Sequence, residues 1–211
     1  MRRVCYLIFL FFCPFFCLKI DAHAQHSQVR IDLVSEFIHD YISIKYPEVK
    51  LDTFIYVGVE RQEMYVFFDG MAEKVYKVST SKHGAGSKYG SNCTPVGLHC
   101  VKGKYGEDVP KGGIMVGKKF TGKVAHIEHG DMETGKDEIT SRVITLEGLE
   151  EGINKGGSID TYKRQIYIHG TAEEGLIGKP ASHGCIRMRN DDVIELFSLV
   201  NEGVPIVILD N

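Results

Sequence analysis

Two short segments in the C-terminal half constrain this chain most, Ile166-Tyr-Ile-His-Gly-Thr171 and Ala181-Ser-His-Gly-Cys-Ile-Arg-Met188. The apolar and β-branched residues before His169 predict a strand that ends near this histidine. Glycine and proline residues between positions 173 and 181 predict a loop that reverses the chain. We therefore expect the second segment to return beside the first and to bring Cys185 close to His169.

Such a juxtaposition suits nucleophilic catalysis, because a thiol becomes a strong nucleophile once an imidazole takes its proton. Two imidazoles are available, His169 and His183, and the residues alone do not decide between them. With ordinary pKa values of about 8.5 for cysteine and about 6.5 for histidine, a thiolate–imidazolium pair can form at neutral pH. The alternative is a zinc site with His169, His183 and Cys185 as ligands, although the motif contains no acidic residue to assist a zinc-bound water.

The complete pattern, His169-Gly170-Thr171 followed by Ser182-His183-Gly184-Cys185-Ile186-Arg187, resembles the signature of the L,D-transpeptidase catalytic domain, the YkuD-type domain. The resemblance covers about residues 53 to 209. It implies a mainly β fold with peripheral helices, in which a β-sandwich-like sheet assembly holds the cysteine in a groove. It also implies acyl transfer, with Cys185 as nucleophile and His169 as general base.

The resemblance assigns roles to the neighbouring residues as well. The backbone carbonyl of Gly170 would orient the base, with Ser182 as the alternative partner for an imidazole. His183 would support the oxyanion region together with the backbone N–H groups of Gly184 and Cys185. The candidates for substrate contacts are Tyr167, Ser182 and Arg187, the last through a carboxylate bound by its guanidinium.

The implied reaction is that of an exported cysteine transpeptidase. Its substrates would be the tetrapeptide stems of peptidoglycan, which it would join by 3→3 cross-links or whose terminal D-Ala it would exchange. Acylation by carbapenems is expected, and neither a metal nor an organic cofactor is needed. Resolution of the same thioester by water would make the protein an L,D-carboxypeptidase, and transfer to a protein lysine would attach the wall to that protein. A non-catalytic peptidoglycan-binding module is the alternative outside the enzymes.

The formal net charge of the chain is −3, and the sequence contains no run of basic residues. We therefore expect no binding to nucleic acid, which requires a basic patch or stripe.

The N-terminus has the order of a secretory signal peptide, predicted over residues 1–24. Arg2 and Arg3 precede an apolar run from Val4 to Leu18, and Ala22-His23-Ala24 offers a small-residue cleavage site. This predicts a periplasmic or cell-envelope location. An uncleaved anchor is the alternative, although the run is shorter than the ~20 residues of a membrane span.

The remaining patterns divide the chain into a helix with a linker over 25–50 and a catalytic domain over 51–211. Apolar residues repeat every four positions from about Gln28 to Lys45, which predicts an amphipathic helix that ends near Pro47. A hairpin is expected over residues 53–68 and a third strand over 74–80. Near the C-terminus, Asn190 is the expected N-cap of a helix that precedes a last buried strand.

Two features in the middle of the chain give further predictions, a pair of cysteines and a long segment rich in glycine. Cys93 and Cys100 flank the turn Thr94-Pro95-Val96-Gly97 and either form a disulfide or remain small buried thiols. The segment from Gly103 to Gly157 is rich in glycine and charge, and we expect it to form a lid or flank over the cleft.

Overall fold

The computed structural model describes the backbone of residues 18–211 and the side chains from residue 29 onward. Within these residues the chain forms two α-helices and ten β-strands. Their bounds are α1 (Leu18–Lys45), β1 (Thr53–Gly58), β2 (Glu63–Phe68), β3 (Met71–Lys77), β4 (Gly97–Tyr105), β5 (Gly113–Val116), β6 (Lys119–Val124), β7 (Ile139–Gly148), β8 (Tyr167–Thr171), β9 (Ile186–Met188), α2 (Asn190–Leu199) and β10 (Pro205–Leu209).

The strands form one curled sheet in the order β3-β2-β1-β10-β4-β7-β5-β6, and β8 pairs with β7 and carries β9 at its other edge. The pairs β1–β10 and β8–β9 are parallel, while the other neighbours are antiparallel. The predicted class, mainly β with peripheral helices, is confirmed.

Apolar clusters cover both faces of the sheet. In β1, Ile55 and Val57 point into one cluster, which α2 completes, whereas Phe54 and Tyr56 point into the other. The second cluster includes Ile38 of α1. Because both of its faces are covered, β1 is buried along nearly its whole length, and its sequence is an almost unbroken apolar run.

Helix α1 is longer than predicted. It begins at Leu18 rather than near Gln28 and ends at Lys45, as expected from the proline that follows. Ile38 and Ile42 are fully buried against the sheet, whereas Leu33 and Phe37 face solvent. No helix among the described residues is both long enough and apolar enough to span a membrane. Residues 1–17, which hold most of the predicted signal peptide, lie outside the described residues.

The segment from Gly103 to Gly157 is not the long lid or flank that its composition suggested. Most of it is sheet, since it contains the end of β4 and all of β5, β6 and β7, and β7 lies between β4 and β8. Its glycines and charges belong to the turns between short strands. Residues 125–138 alone form a long stretch without helix or strand there, and the N–H of Thr134 in this stretch donates to the carboxylate of Glu173, two residues after β8.

Of the two alternatives for Cys93 and Cys100, the disulfide does not form, and both thiols are free. Cys100 lies on β4, where it pairs with Pro205 of β10. The thiol of Cys93 instead turns back into its own loop and donates to the carbonyl oxygen of His83 at 3.2 Å. The two side chains therefore lie in different parts of the fold, Cys100 on β4 and Cys93 in the loop before this strand.

Candidate active site

The pairing of β8 with β9 places the predicted nucleophile and base on one face of the sheet. The parallel register aligns Ile168 with Ile186, and both side chains lie in the core. Because side chains alternate along a strand, His169 and Cys185 project from the opposite face, where Cys185 packs in a cluster with Tyr167. The reversal of the chain predicted between the two segments is therefore present, and the two residues are diagonal neighbours across the strand pair.

The sulfur of Cys185 is partly exposed and contacts the backbone at the start of β8 and just before it. It accepts a hydrogen bond from the N–H of Tyr167 at 3.4 Å and lies 3.6 Å from the carbonyl oxygen of Gln165. Burial raises the pKa of the thiol to about 11, against the opposing effects of the Tyr167 N–H and of the Arg187 and Arg164 guanidinium groups. The thiol is therefore protonated at neutral pH.

The imidazole of His169 is buried and has one fixed hydrogen bond. Its Nδ1 lies 2.8 Å from the carbonyl oxygen of Gly170, so Nδ1 carries the proton and Nε2 keeps a free lone pair. Among the described side chains, the only buried nitrogen or oxygen without a partner is Nε of Arg187, so the unpaired Nε2 of His169 still reaches solvent. Burial lowers the pKa of His169 to about 4.

These environments favour a neutral thiol beside a neutral imidazole, and not the thiolate–imidazolium pair expected from ordinary pKa values. Both shifts have the same cause, since each charged form would lose its hydration inside the sheet. A thiol in this state has to lose its proton before its sulfur can attack a carbonyl carbon.

We expect alkylation of Cys185 by iodoacetamide to be slow at pH 7 and to rise about tenfold per pH unit up to pH 10, because only the thiolate reacts and its pKa lies near 11. The rate is measured by mass spectrometry of the peptide that contains Cys185. The urea-unfolded chain is the control, with its midpoint at about 8.5. A rate that is already maximal at pH 7 would contradict the neutral thiol.

The turn before Cys185 depends on two neighbouring residues. Gly184 adopts φ +117, and a Cβ there would lie 3.0 Å from Cδ1 of Ile166, so a side chain would be both strained and crowded. Ser182 is buried; its hydroxyl donates to the carbonyl oxygen of Cys185 at 2.6 Å and accepts from the N–H of Gly184 at 3.2 Å. The turn itself thus uses the hydroxyl of Ser182, and the contact of this residue with a substrate stays a prediction. The same bond occupies the N–H of Gly184 that was expected in the oxyanion region.

Gly170 is required by close packing, since a Cβ at this position would lie 2.7 Å from the carbonyl oxygen of Thr140 and 2.8 Å from Oδ1 of Asn190. The carbonyl that orients His169 is thus held between β7 and the start of α2. The expected orienting role of Gly170 agrees with this geometry.

His183 differs from His169 in both exposure and partner. Its side chain is 48% exposed, and its Nδ1 lies 2.7 Å from Oδ2 of Asp137. The other carboxylate oxygen of Asp137 lies 2.5 Å from a terminal nitrogen of Arg187. The side chain of Asp137 is thus shared between an exposed imidazole and a buried guanidinium, and Arg187 holds its pKa below the usual range despite burial.

Arg187 is almost wholly buried beneath His169 and Asp137. Its side chain is 2% exposed and makes a second ion pair, 2.9 Å long, with Glu173. Two carboxylates of the chain already pair with its terminal nitrogens, and the contact of Arg187 with a substrate carboxylate stays a prediction. The ring of Tyr167, the third expected substrate contact, is nearly buried among Val109, Met115 and Val143 and forms part of the wall beside Cys185.

His183 lines two cavities. One has a volume of about 210 Å³, and the other, of about 40 Å³, is on the side of Asp137. A larger cavity of about 920 Å³ lies between the end of α1 and the sheet and is lined by none of the motif residues. The lining of the first is Tyr89, Gly90, Asn92, Arg164, Ile166 and His183, and that of the second is Glu133, Gly135, Asp137, Glu173, Ala181, His183 and Arg187.

A family model described as the L,D-transpeptidase catalytic domain (YkuD) matches residues 52–208, which is most of the chain. The chain belongs to this family. Two Bacillus subtilis (strain 168) proteins assigned as L,D-transpeptidases are similar to it. YqjB is 29% identical over 160 residues, which cover 76% of this chain and 73% of YqjB. YkuD is 47% identical over 60 residues, which cover 26% of this chain and only 37% of YkuD.

Solved L,D-transpeptidase structures also align with this member of the family. The enzyme from Mycobacterium smegmatis aligns with a TM-score of 0.47 and 18% identity, over 75% of this chain and 58% of that one. L,D-transpeptidase 3 from Mycobacterium tuberculosis, solved with a faropenem-derived adduct, aligns with a TM-score of 0.47 and 16% identity, over 75% of this chain and 60% of that one. The chain thus spans a little over half of each of these structures.

Asp137 and Glu173 were not predicted as site residues of this L,D-transpeptidase domain. Asp137 is 46 positions before its partner His183 and stands in a charge-rich stretch where no local pattern marks it. The zinc-site alternative finds no support in the geometry: within the described part of the chain, no three histidine, cysteine or acidic side chains are grouped so that they could hold a metal.

Proposed function

We propose that the protein is an exported cysteine L,D-transpeptidase that acts on the tetrapeptide stems of peptidoglycan. The observation that carries the proposal is the placement of a partly exposed thiol and an imidazole with a free Nε2 on one face of β8 and β9. Membership of the L,D-transpeptidase family supports the same chemistry. Export rests on the signal-peptide pattern of residues 1–24 and would place the protein in the periplasm or cell envelope.

In the first half-reaction, the sulfur of Cys185 attacks the carbonyl carbon at the L-centre of the third stem residue. The thiol proton passes to Nε2 of His169 in the same step, since the neutral pair is favoured before attack. As the tetrahedral intermediate collapses, the C–N bond breaks, and the departing D-Ala amine takes that proton from His169. The products are D-Ala and a thioester on Cys185.

The surrounding backbone assists this step. The carbonyl of Gly170 keeps the proton of His169 on Nδ1 and so keeps Nε2 available. The backbone N–H of Cys185, and that of Gly184 once released from Ser182, would stabilise the negative oxygen of the tetrahedral intermediate. One such donor is worth about 10²–10³ in rate.

In the second half-reaction, an acceptor amine attacks the thioester. A stem amine gives a 3→3 cross-link, and a D-amino acid gives exchange of the terminal residue. The acyl-enzyme is also the species that a carbapenem would form by opening its lactam ring on Cys185, so carbapenems are suitable active-site probes.

The test is product analysis by mass after incubation of the mature protein with disaccharide tetrapeptides. We expect cross-linked dimers from the wild-type protein and from Cys93→Ala, which removes another free thiol, and none from Cys185→Ala. Tripeptides without dimers would assign an L,D-carboxypeptidase. Unchanged substrate would instead leave a peptidoglycan-binding module.

A further inference from the structure

The two histidines of the site have environments suited to different steps. Nδ1 of His169 is bound to a neutral carbonyl inside the fold, and its side chain is almost wholly buried. Nδ1 of His183 is bound to the carboxylate of Asp137, and its ring is exposed and lines both cavities. A carboxylate partner stabilises an imidazolium, whereas a carbonyl in a buried site does so less.

We propose that His183, oriented by Asp137, is the base that takes the proton from the acceptor amine in the second half-reaction. The inference rests on the proposed function. His183 is the catalytic residue of this step, and Asp137 is its positioning residue. His169 remains the base for Cys185 in the first half-reaction.

The hydrogen bond to Asp137 gives His183 the tautomer that a base needs. Since a carboxylate oxygen only accepts, Nδ1 of His183 carries the proton, and the lone pair of Nε2 is left facing outward. Asp137 is itself fixed by the buried Arg187, which is held in turn by Glu173. The exposed imidazole is thus attached to a rigid chain of charged groups that reaches into the fold.

The charges beside His183 favour an amine on one side. The cavity of about 40 Å³ is lined by the carboxylates of Glu133, Asp137 and Glu173 against one guanidinium, that of Arg187. The cavity on the other side of His183 has Arg164 in its lining. The small cavity is large enough for a primary amine, since one water occupies about 30 Å³. These carboxylates favour the approach of a cationic acceptor to His183, and Nε2 is the ring atom left to take its proton.

The acceptor nitrogen attacks the thioester carbonyl, a C–N bond forms and the C–S bond breaks. One amine proton moves to Nε2 of His183, which becomes an imidazolium beside the carboxylate of Asp137. The released thiolate of Cys185 then recovers a proton from this imidazolium, directly or through solvent, because the thiol is the weaker acid.

The experiment separates the two half-reactions. The protein is mixed with disaccharide tetrapeptide, formation of the acyl-enzyme is followed by mass, and deuterated D-alanine is then added as the acceptor. In Asp137→Asn and His183→Gln we expect acylation within about threefold of wild type and transfer to D-alanine slower by about 10²–10⁴, the usual range for loss of a general base. Added imidazole should restore part of the transfer rate in His183→Ala.

The matched control is Asp131→Asn, the same substitution in the same segment, at a residue that pairs with Lys179 and not with a histidine. It should leave both rates within threefold of wild type. Transfer at the wild-type rate in His183→Gln, or an equal loss of acylation and transfer in both variants, would overturn the inference. A wild-type protein that forms no acyl-enzyme would overturn the proposed function instead, and the two failures are thereby distinguished.

Discussion

Replacing His169 with alanine is expected to slow acylation of Cys185 by about 10²–10⁴, the contribution of a well-placed general base. The effect is large because the thiol is protonated at neutral pH and His169 projects from the same face of β8 and β9. The measurement is the rate at which a carbapenem adds its mass to the protein.

His183→Ala is the control for this variant, since it removes the other imidazole of the motif. If the division of labour proposed above is correct, His183→Ala forms the carbapenem adduct at a rate close to that of wild type. The assignment of the base is wrong if His169→Ala acylates normally and His183→Ala does not.

Replacing Arg187 with methionine is expected to reduce the free energy of unfolding by about 3–5 kcal/mol, the usual cost of leaving a buried charge without its partner. Arg187 is 2% exposed, and its removal leaves Glu173 buried and Asp137 half-buried without their shared cation. Urea unfolding of the two proteins measures the difference.

The neighbouring arginine provides the comparison. Arg189 is half exposed and lies 3.8 Å from Glu174, so Arg189→Met should cost less than about 1 kcal/mol. If Arg187→Met were as stable as wild type and showed only a raised KM for the donor stem, Arg187 would be a substrate ligand after all, and the buried charge network would not have the role described here.

The parts of the site that were predicted are those encoded by neighbouring residues. Ile166 to His169 has the composition of a strand, and Gly175, Gly178 and Pro180 break the chain after it, so the return of Cys185 follows from local rules. The carbonyl of Gly170 is likewise adjacent in sequence to the imidazole that it orients.

The parts that were missed depend on residues that are distant in sequence. Asp137 reaches His183 only because β7 carries its preceding segment to β8 and β9. Asn190 was predicted as the N-cap of α2 but is its first residue, and Arg189 holds the N-cap position. The buried side chain of Asn190 instead accepts from Thr140 and Ser141 of β7. Local composition does not reveal such contacts, because a polar residue has the same pattern at a helix start and in a buried network.

The same limitation applies to the predicted roles of Arg187 and Ser182. Both belong to a motif with a partly exposed thiol, which suggested that their polar groups face the substrate. Arg187 shares the face of Cys185 but is buried there in an ion pair with Glu173, and the hydroxyl of Ser182 bonds the carbonyl oxygen of Cys185 in the tight turn at Gly184.

The central claim is that Cys185 carries the acyl group, and the most direct measurement is the mass of the acyl-enzyme with its position located by peptide mapping. The protein is mixed with disaccharide tetrapeptide, quenched in acid within the first turnover and digested. We predict the mass of the tripeptide-containing fragment on the peptide that contains Cys185, and no adduct in Cys185→Ala. An adduct on another residue, or dimers formed by Cys185→Ala, would contradict the account.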